Sequence, residues 1–371
     1  MATLLVTPGI DQFDGLLEEL CSNLQLTESQ FKDAEAKYTA VGNWLGAENG
    51  PLAGLGLEVY PQGSMLLRTT VKPRSQDEYD LDLVCLLPSC YGYDPLSVYE
   101  AVAERLNNNA TYKNILERKK RCIRLNYAGS FHLDVLPACS NPVTGGTFIL
   151  VPDCELKDWT PSNPKGFGKW FEDKSSVRVH LAEKRFKPLP VQGPGTRTLP
   201  LQRVVQLIKR RRDVVFNGDG DAPRSVVLTT LAAGHYSGED SCCTALQNLL
   251  DALCRDIANC QGIMEVRNPT NREEVFSEAW TWQSYSAFRE FIFNFREEFR
   301  QLRAQVGLDK ITKQMEDVFG EELARKAVLS YTNRLSALRE TGRLGFGRSA
   351  VALAAIGAGV TPIPRTTFFG Q

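Results

Sequence analysis

The sequence predicts an α+β protein in which a strand-bearing half precedes an all-helical half. Period-two alternation and short apolar runs mark residues 57 to 151, whereas apolar residues recur at helical spacing from Leu201 to residue 340. Between them, Lys187 to Pro200 is rich in Pro and Gly and reads as the junction of two lobes. The chain's 371 residues suffice for two such lobes. The expected division is 1–195 for the N-terminal helices and the strand-bearing lobe, 196–345 for the helical lobe and 346–371 for a flexible tail.

Taken in order, residues 10–46 carry a helical stripe (Phe13, Leu16, Leu17, Leu20, then Phe31, Ala34, Tyr38, Val41, Leu45). It is interrupted at Thr27-Glu28-Ser29, an N-cap signal. Ala47 to Gly56 is a turn, and Leu57 to Tyr60 a short strand entering the Gly63-Ser64 turn. Leu81 to Leu87 is a buried strand, and Asp94-Pro95 opens a helix through Leu106. Arg121 to Tyr127 and Phe131 to Leu136 alternate around Ala128-Gly129-Ser130, a hairpin pattern, and Phe148 to Val151 is a further strand. Trp159 to Phe171, with Asn163-Pro164 and two tryptophans, reads as a loop. Helices are expected over 201–216, 225–236, 242–260, 275–305, 309–318 and 321–340.

At 43% hydrophobic and 23% charged residues the composition is that of a globular protein, and no apolar run approaches the roughly 20 residues of a membrane span. A net charge of -1 argues against a dedicated nucleic-acid binder. Two basic runs stand out, Arg118-Lys119-Lys120-Arg121 and Lys209-Arg210-Arg211-Arg212. Each fits either a small anionic ligand or a solvated face. Ten cysteines without a secretory leader predict free thiols and a cytoplasmic setting. His235, Cys242, Cys243 and Cys254 lie close in sequence, but helical apolar spacing between them favours buried helix cysteines over a zinc site.

The chemistry is concentrated in Gln62 to Leu87, QGSMLLRTTVKPRSQDEYDLDLVCLL. In a strand, i and i+2 side chains share a face about 7 Å apart, so Asp80 and Asp82 project together while Leu81 and Leu83 pack opposite. Paired carboxylates repel unless a cation neutralises them. A divalent metal beside a Gly-Ser turn suggests phosphate chemistry. Asp134, mid-strand in Phe131-His132-Leu133-Asp134-Val135-Leu136, is the candidate third ligand, because an unpaired carboxylate there is costly. The three could hold two Mg²⁺ ions roughly 3.5–4 Å apart; Mn²⁺ is the alternative, and oxygen ligands exclude zinc as first choice.

Gly63-Ser64, Asp80-Leu81-Asp82 and Asp134 together resemble the nucleotidyltransferase superfamily of polymerase-β type. Fifteen residues separate Ser64 from Asp80, a longer connection than the superfamily's usual one. QGS…RTTVKP…DEYDLDLV, the Asn163-Pro164 and Trp170 segment, LPLQRVVQLIKRRRD and PRSVVLTTLAA resemble, over about residues 10 to 340, the bacterial cGAS/DncV-like nucleotidyltransferases. The resemblance implies a polymerase-β-like lobe with a mixed sheet, a helical-bundle lobe and an active site between them. It implies a Mg²⁺-dependent enzyme that joins ATP and GTP, with release of pyrophosphate, into a cyclic second messenger for anti-phage signalling. The clade it most resembles makes cyclic GMP–AMP, with a 3′,2′ linkage.

Carried over by residue, the resemblance makes Asp80, Asp82 and Asp134 catalytic metal ligands and Gln62, Gly63 and Ser64 the turn that binds the triphosphate. Lys209 would supply a charge and Ser225 a hydroxyl to the phosphates; a solvated charge and an N-cap are the alternative readings. Asn268 and Asn271 would either read a base or merely form a turn, and Arg197 would reach a base or phosphate. The implied partners are the nucleotides, an effector met only through the product, and a ubiquitin-like ligation system at Phe368-Phe369-Gly370-Gln371. No nucleic acid and no membrane are implied. Two rivals share the carboxylates: a template-independent RNA nucleotidyltransferase, which needs a broader basic surface, and a non-catalytic nucleotide sensor, which usually loses a metal carboxylate.

Overall fold

The computed structural model describes residues 12–48, 50–72, 74, 79–90, 92–129, 131–175 and 198–341, with short strands at 344–346, 353–355 and 361–362. Arg197, most of the expected junction and the Phe368–Gln371 end lie outside the described residues.

Helix α1 (Gln12–Leu24) is followed by α2 (Glu28–Leu45), whose start is fixed by Thr27 and Gln30 in a reciprocal capping box. Then come β1 (Glu58–Gln62), the short helix α3 (Gly63–Leu67), β2 (Tyr79–Leu87) and α4 (Pro95–Asn107). Strands β3 (Leu116–Arg118), β4 (Ile123–Tyr127), β5 (Phe131–Ser140), β6 (Ile149–Asp153) and β7 (Asp158–Ser162) complete a seven-stranded sheet. Its main path runs β1-β2-β5-β4-β3, with β6 and β7 attached through β5. Only the β2–β5 pair is parallel, and α4 lies in the crossover that a parallel pair requires. Leu83 to Leu87 are all buried, as befits a central strand covered on both faces.

The second half holds α5 (Pro164–Ser175), α6 (Pro200–Phe216), α7 (Ser225–His235), α8 (Cys242–Asn259), a hairpin of β8 (Arg267–Asn268) and β9 (Asn271–Val275), then α9 (Trp282–Ala304), α10 (Leu308–Phe319) and α11 (Glu321–Glu340). One apolar core lies under the sheet, built by α2, α4 and the inner strand faces; a second joins α6 to α11. The stripe of α1 enters the second core, against α11, α8 and α6, although its position in the chain places it with the sheet.

Three expectations need correction. Trp159 to Phe171 is not a loop but β7 followed by α5. Pro164 takes the first helical position and Asn163 caps it, accepting from the Gly166 N–H at 3.0 Å. The helix expected over 275–305 begins only at Trp282, where Thr281 and Ser284 cap each other, because β8–β9 consumes the preceding residues. The cysteines are not all free: Cys90 and Cys139 are paired, their Cα atoms 5.5 Å apart, because the turn after β2 folds back onto its parallel neighbour β5. Cys242, Cys243 and Cys254 are buried in α8, and His235 pairs with Asp256. Further along, Leu353–Ala355 and Thr361–Pro362 pair with Leu344–Phe346 as a small sheet. Among the described residues no helix is long and apolar enough to cross a membrane.

Candidate active site

The register of the sheet assembles the carboxylates. Gln62 on β1, Asp82 on β2 and Asp134 on β5 stand directly opposite one another across three strands. Asp80 shares the Asp82 face two residues earlier. The turn follows at once: Gly63 has φ +61°, and a Cβ there would collide with Asp82 Oδ2, so only glycine permits both the conformation and the approach. Ser64 is the second residue of α3, and its hydroxyl accepts from Thr70 Oγ1 at 3.2 Å.

These groups line one wall of a cavity of about 1080 Å³ between the lobes. The facing wall comes from α6 and α7. Lys209 is buried, with its ammonium donating to Thr69 O and Thr69 Oγ1, both at 3.2 Å. Burial pushes its amine down to about 7; Arg212 adds to the shift while Asp213 and Asp82 oppose it. Ser225 is the first residue of α7, yet its hydroxyl caps nothing; it accepts from Arg212 at 2.8 Å. The cavity is also lined by Asn163 and Phe167 and by Asn268, Glu274 and Phe276 of the hairpin region.

The electrostatics are those of crowded carboxylates. Burial, then Asp134 and Asp80, push Asp82 up to about 7, while Arg124 and Lys209 oppose. Asp134 is not on the cavity wall: Arg124 on β4 holds it through two bonds, at 2.7 and 2.8 Å, and reaches Asp80 at 3.4 Å. As the side chains stand, no three His, Cys, Asp or Glu groups among the described residues converge tightly enough for an ion. The donor set nevertheless fits a hard divalent cation: three carboxylates on adjacent strands, one of them, Asp82, raised by burial and by its acidic neighbours. For all three to ligate, Asp134 has to exchange Arg124 for the ion. Asp80 and Asp82 already face the cavity, beside Ser64 and the cations of α6.

Of the expected metal and phosphate residues, Gln62, Gly63, Ser64, Asp80, Asp82, Lys209 and Ser225 line this one cavity and Asp134 does not. Asn268 lines it too, whereas Asn271 donates to Pro161 O at 3.3 Å, fastening the hairpin to β7. Sequence reasoning named Arg212 only as part of the basic run and did not single it out, although it lies three residues from Lys209 on the same helical face. It also missed Arg74, which donates to Asp213 O at 3.0 Å, as well as Arg124, Phe167, Glu274 and Phe276.

Fold and site define a nucleotidyltransferase of polymerase-β type. Residues 12–175 match the Second Messenger Oligonucleotide or Dinucleotide Synthetase domain. The chain is 33% identical to the c-di-GMP synthase of Roseivirga ehrenbergii, over 99% of this chain and 100% of the relative. It is 27% identical to the cyclic dinucleotide synthase CdnG of Bradyrhizobium diazoefficiens, over 96% and 93% of the two. The solved structure of that CdnG in complex with GTP superposes with a TM-score of 0.68 at 23% identity, covering 88% of this chain and all of the other. Vibrio cholerae DncV, a cyclic AMP-GMP synthase, superposes with a TM-score of 0.55 at 17% identity, over 85% and 89% of the two. The chain belongs to the second-messenger synthetase family, the bacterial cGAS/DncV-like nucleotidyltransferases, and is an enzyme of that class.

Proposed function

We propose that this protein condenses two purine nucleoside triphosphates, at least one of them GTP, into a cyclic dinucleotide. The observation that carries the reading is that Gln62, Asp80 and Asp82 face Lys209, Arg212 and Ser225 across a single cleft, with Asp134 beside Asp82 on the neighbouring strand. At about 1080 Å³ the cleft sits at the top of the ~300–1000 Å³ range of ordinary small-molecule sites, room suited to two nucleotides.

In each of two steps a ribose hydroxyl attacks an α-phosphorus, the Pα–O–Pβ bond breaks, and pyrophosphate leaves. Asp80 and Asp82, with Asp134, would hold the divalent cation, and Mg²⁺ or Mn²⁺ bound there would activate the hydroxyl and neutralise developing charge. Asp134 takes up the hydroxyl proton once Arg124 has released it. Lys209 and Arg212 place positive charge on the triphosphate, and Ser64 and Ser225 add hydroxyl donors to its oxygens. The second step repeats the first on the linear dinucleotide after it has turned over in the cleft.

The sequence points to cyclic GMP–AMP, made from GTP and ATP; the full-length likeness to a c-di-GMP synthase favours GTP in both positions. Incubating the purified protein with Mg²⁺ and labelled GTP, ATP or both, followed by phosphatase, separates these. A phosphatase-resistant product from GTP alone is expected. Resistance only in the mixture assigns cyclic GMP–AMP instead, and phosphatase-sensitive chains overturn cyclisation. The product would act on an effector in anti-phage defence. Conjugation through Phe368–Gln371 by a ubiquitin-like system is a separate proposal, overturned if adducts persist after those four residues are deleted.

A further inference from the structure

The wall that the hairpin and α5 give the cleft holds one acidic side chain, Glu274, together with the aromatic rings of Phe167 and Phe276. Glu274 near the end of β9 and Phe276 just beyond it alternate at i and i+2, and both line the cavity. Phe276 meets Phe167 of α5 edge-to-face, ring centroids 5.8 Å apart. A flat ring system can stack at such a place without regard to its identity.

The carboxylate is oriented by a fixed relay. Asn268 Oδ1 accepts from both the N–H and the hydroxyl of Thr270, at 2.9 Å each, so its amide nitrogen must turn toward Glu274, to which it donates at 2.8 Å. That bond occupies Glu274 Oε2, and no further hydrogen bond to the carboxylate is seen among the described residues. Burial raises the Glu274 carboxyl above its ordinary value, opposed by Asn268 and Arg121. A desolvated acceptor on a cavity wall needs donors.

We propose that Glu274 selects guanine, accepting hydrogen bonds from N1–H and the exocyclic N2 amine of its Watson–Crick edge. Resting on the reading of the cleft as a nucleotide site, this names what one of its positions takes. Among the common bases, guanine alone presents two adjacent donors there. Adenine and cytosine set an acceptor beside the amine, and uracil flanks its single N–H with two carbonyls. A carboxylate facing any of these opposes a lone pair to a lone pair, and a buried polar group left unpaired is the strongest basis for rejection.

Calorimetric titration with α,β-methylene analogues of GTP and ATP, which cannot release pyrophosphate, tests the assignment without requiring synthesis. Glu274→Gln offers one acceptor and one donor, the complement of adenine. Binding of the GTP analogue is expected to weaken ~10- to 100-fold while that of the ATP analogue holds or improves. Glu274→Asp, which keeps the charge, should retain the preference for guanine and guards against a folding defect in the first variant. GTP-analogue binding by Glu274→Gln within twofold of the unmodified protein overturns the proposal, as does loss of the preference in Glu274→Asp. An unmodified protein that prefers the GTP analogue yet makes no cyclic product overturns cyclisation and leaves Glu274's role supported; one that binds neither analogue overturns both.

Discussion

Two runs of four basic residues, Arg118–Arg121 and Lys209–Arg212, have nearly the same composition and opposite environments. In the first, at the end of β3 and the turn beyond it, every side chain pairs with an acid: Arg118 with Glu100, Lys119 with Glu117 and Lys120 with Glu155 at the surface, and Arg121 with the buried Asp153. The second lies inside α6, where successive side chains step about 100° round the axis and cannot share a face. Lys209 and Arg212, three apart, turn to the cleft. Arg211 turns into the helical lobe and donates to Asp317 O and Val318 O at the end of α10, both at 3.1 Å, and to Glu298 at 2.6 Å. Arg210 lines the cleft as well, yet its Nε donates to Phe319 O at 2.8 Å. Charge in a sequence therefore says little until the element and its packing assign each residue a partner.

The comparison breaks first at the acids opposite α6. If Lys209 and Arg212 hold phosphate for chemistry at Asp80 and Asp82, then Asp82→Asn should reduce cyclic product to background while GTP binding in EDTA persists. Thermal unfolding should show a Tm no lower than the parent's, because the change removes a carboxylate that Asp134 and Asp80 crowd. Substantial synthesis by this variant would dissolve the site.

Lys209→Met comes next. Losing a charged donor to phosphate should weaken GTP binding ~10- to 100-fold, while the change in Tm should be small, because relief of a buried amine is set against loss of the donor to Thr69 O and Thr69 Oγ1. Two residues along the same helix the signs reverse. Arg211→Met should leave GTP binding alone and cost roughly 2–3 kcal/mol of stability, since it strips two carbonyls of their donor and leaves Glu298 unpaired. Denaturant unfolding with and without GTP distinguishes the two variants. Equal effects on both readouts would mean that α6 is not divided as described.

Much of the fold was legible because apolar spacing reports which face of an element is buried. The stripe of α1 shows its limit: Phe13, Leu16, Leu17 and Leu20 declare an apolar face but not which of two cores receives it. Asp80 and Asp82 are conspicuous because charge in an apolar strand demands an explanation. Arg124 is not, since on the alternating strand β4 it reads as an ordinary outward residue until β5 sets Asp134 beside it. Glu274 was illegible for a related reason. Strands β8 and β9 are short and polar, so no alternation marked them, and what singles out Glu274 is a cavity wall formed by residues more than a hundred positions apart.

The smallest effect belongs to the exposed run. Lys119 donates to Glu117 in the open, and such pairs are offset by side-chain entropy and screening. The local hydrogen bond from Tyr99 reaches the Lys119 carbonyl, not its side chain, so Lys119→Ala leaves it in place. Lys119→Ala should therefore shift neither Tm nor GTP binding measurably. Arg121 marks the boundary of that rule. Its partner Asp153 is fully buried and also accepts from the Glu155 and Leu156 N–H groups, so Arg121→Ala removes one bond from an acid that keeps two. Its cost should exceed that of Lys119→Ala and fall short of that of Arg211→Met. The order decides whether burial of the partner, rather than the number of charges in a run, sets the contribution of each cation; an Arg121→Ala protein less stable than Arg211→Met would reverse that conclusion.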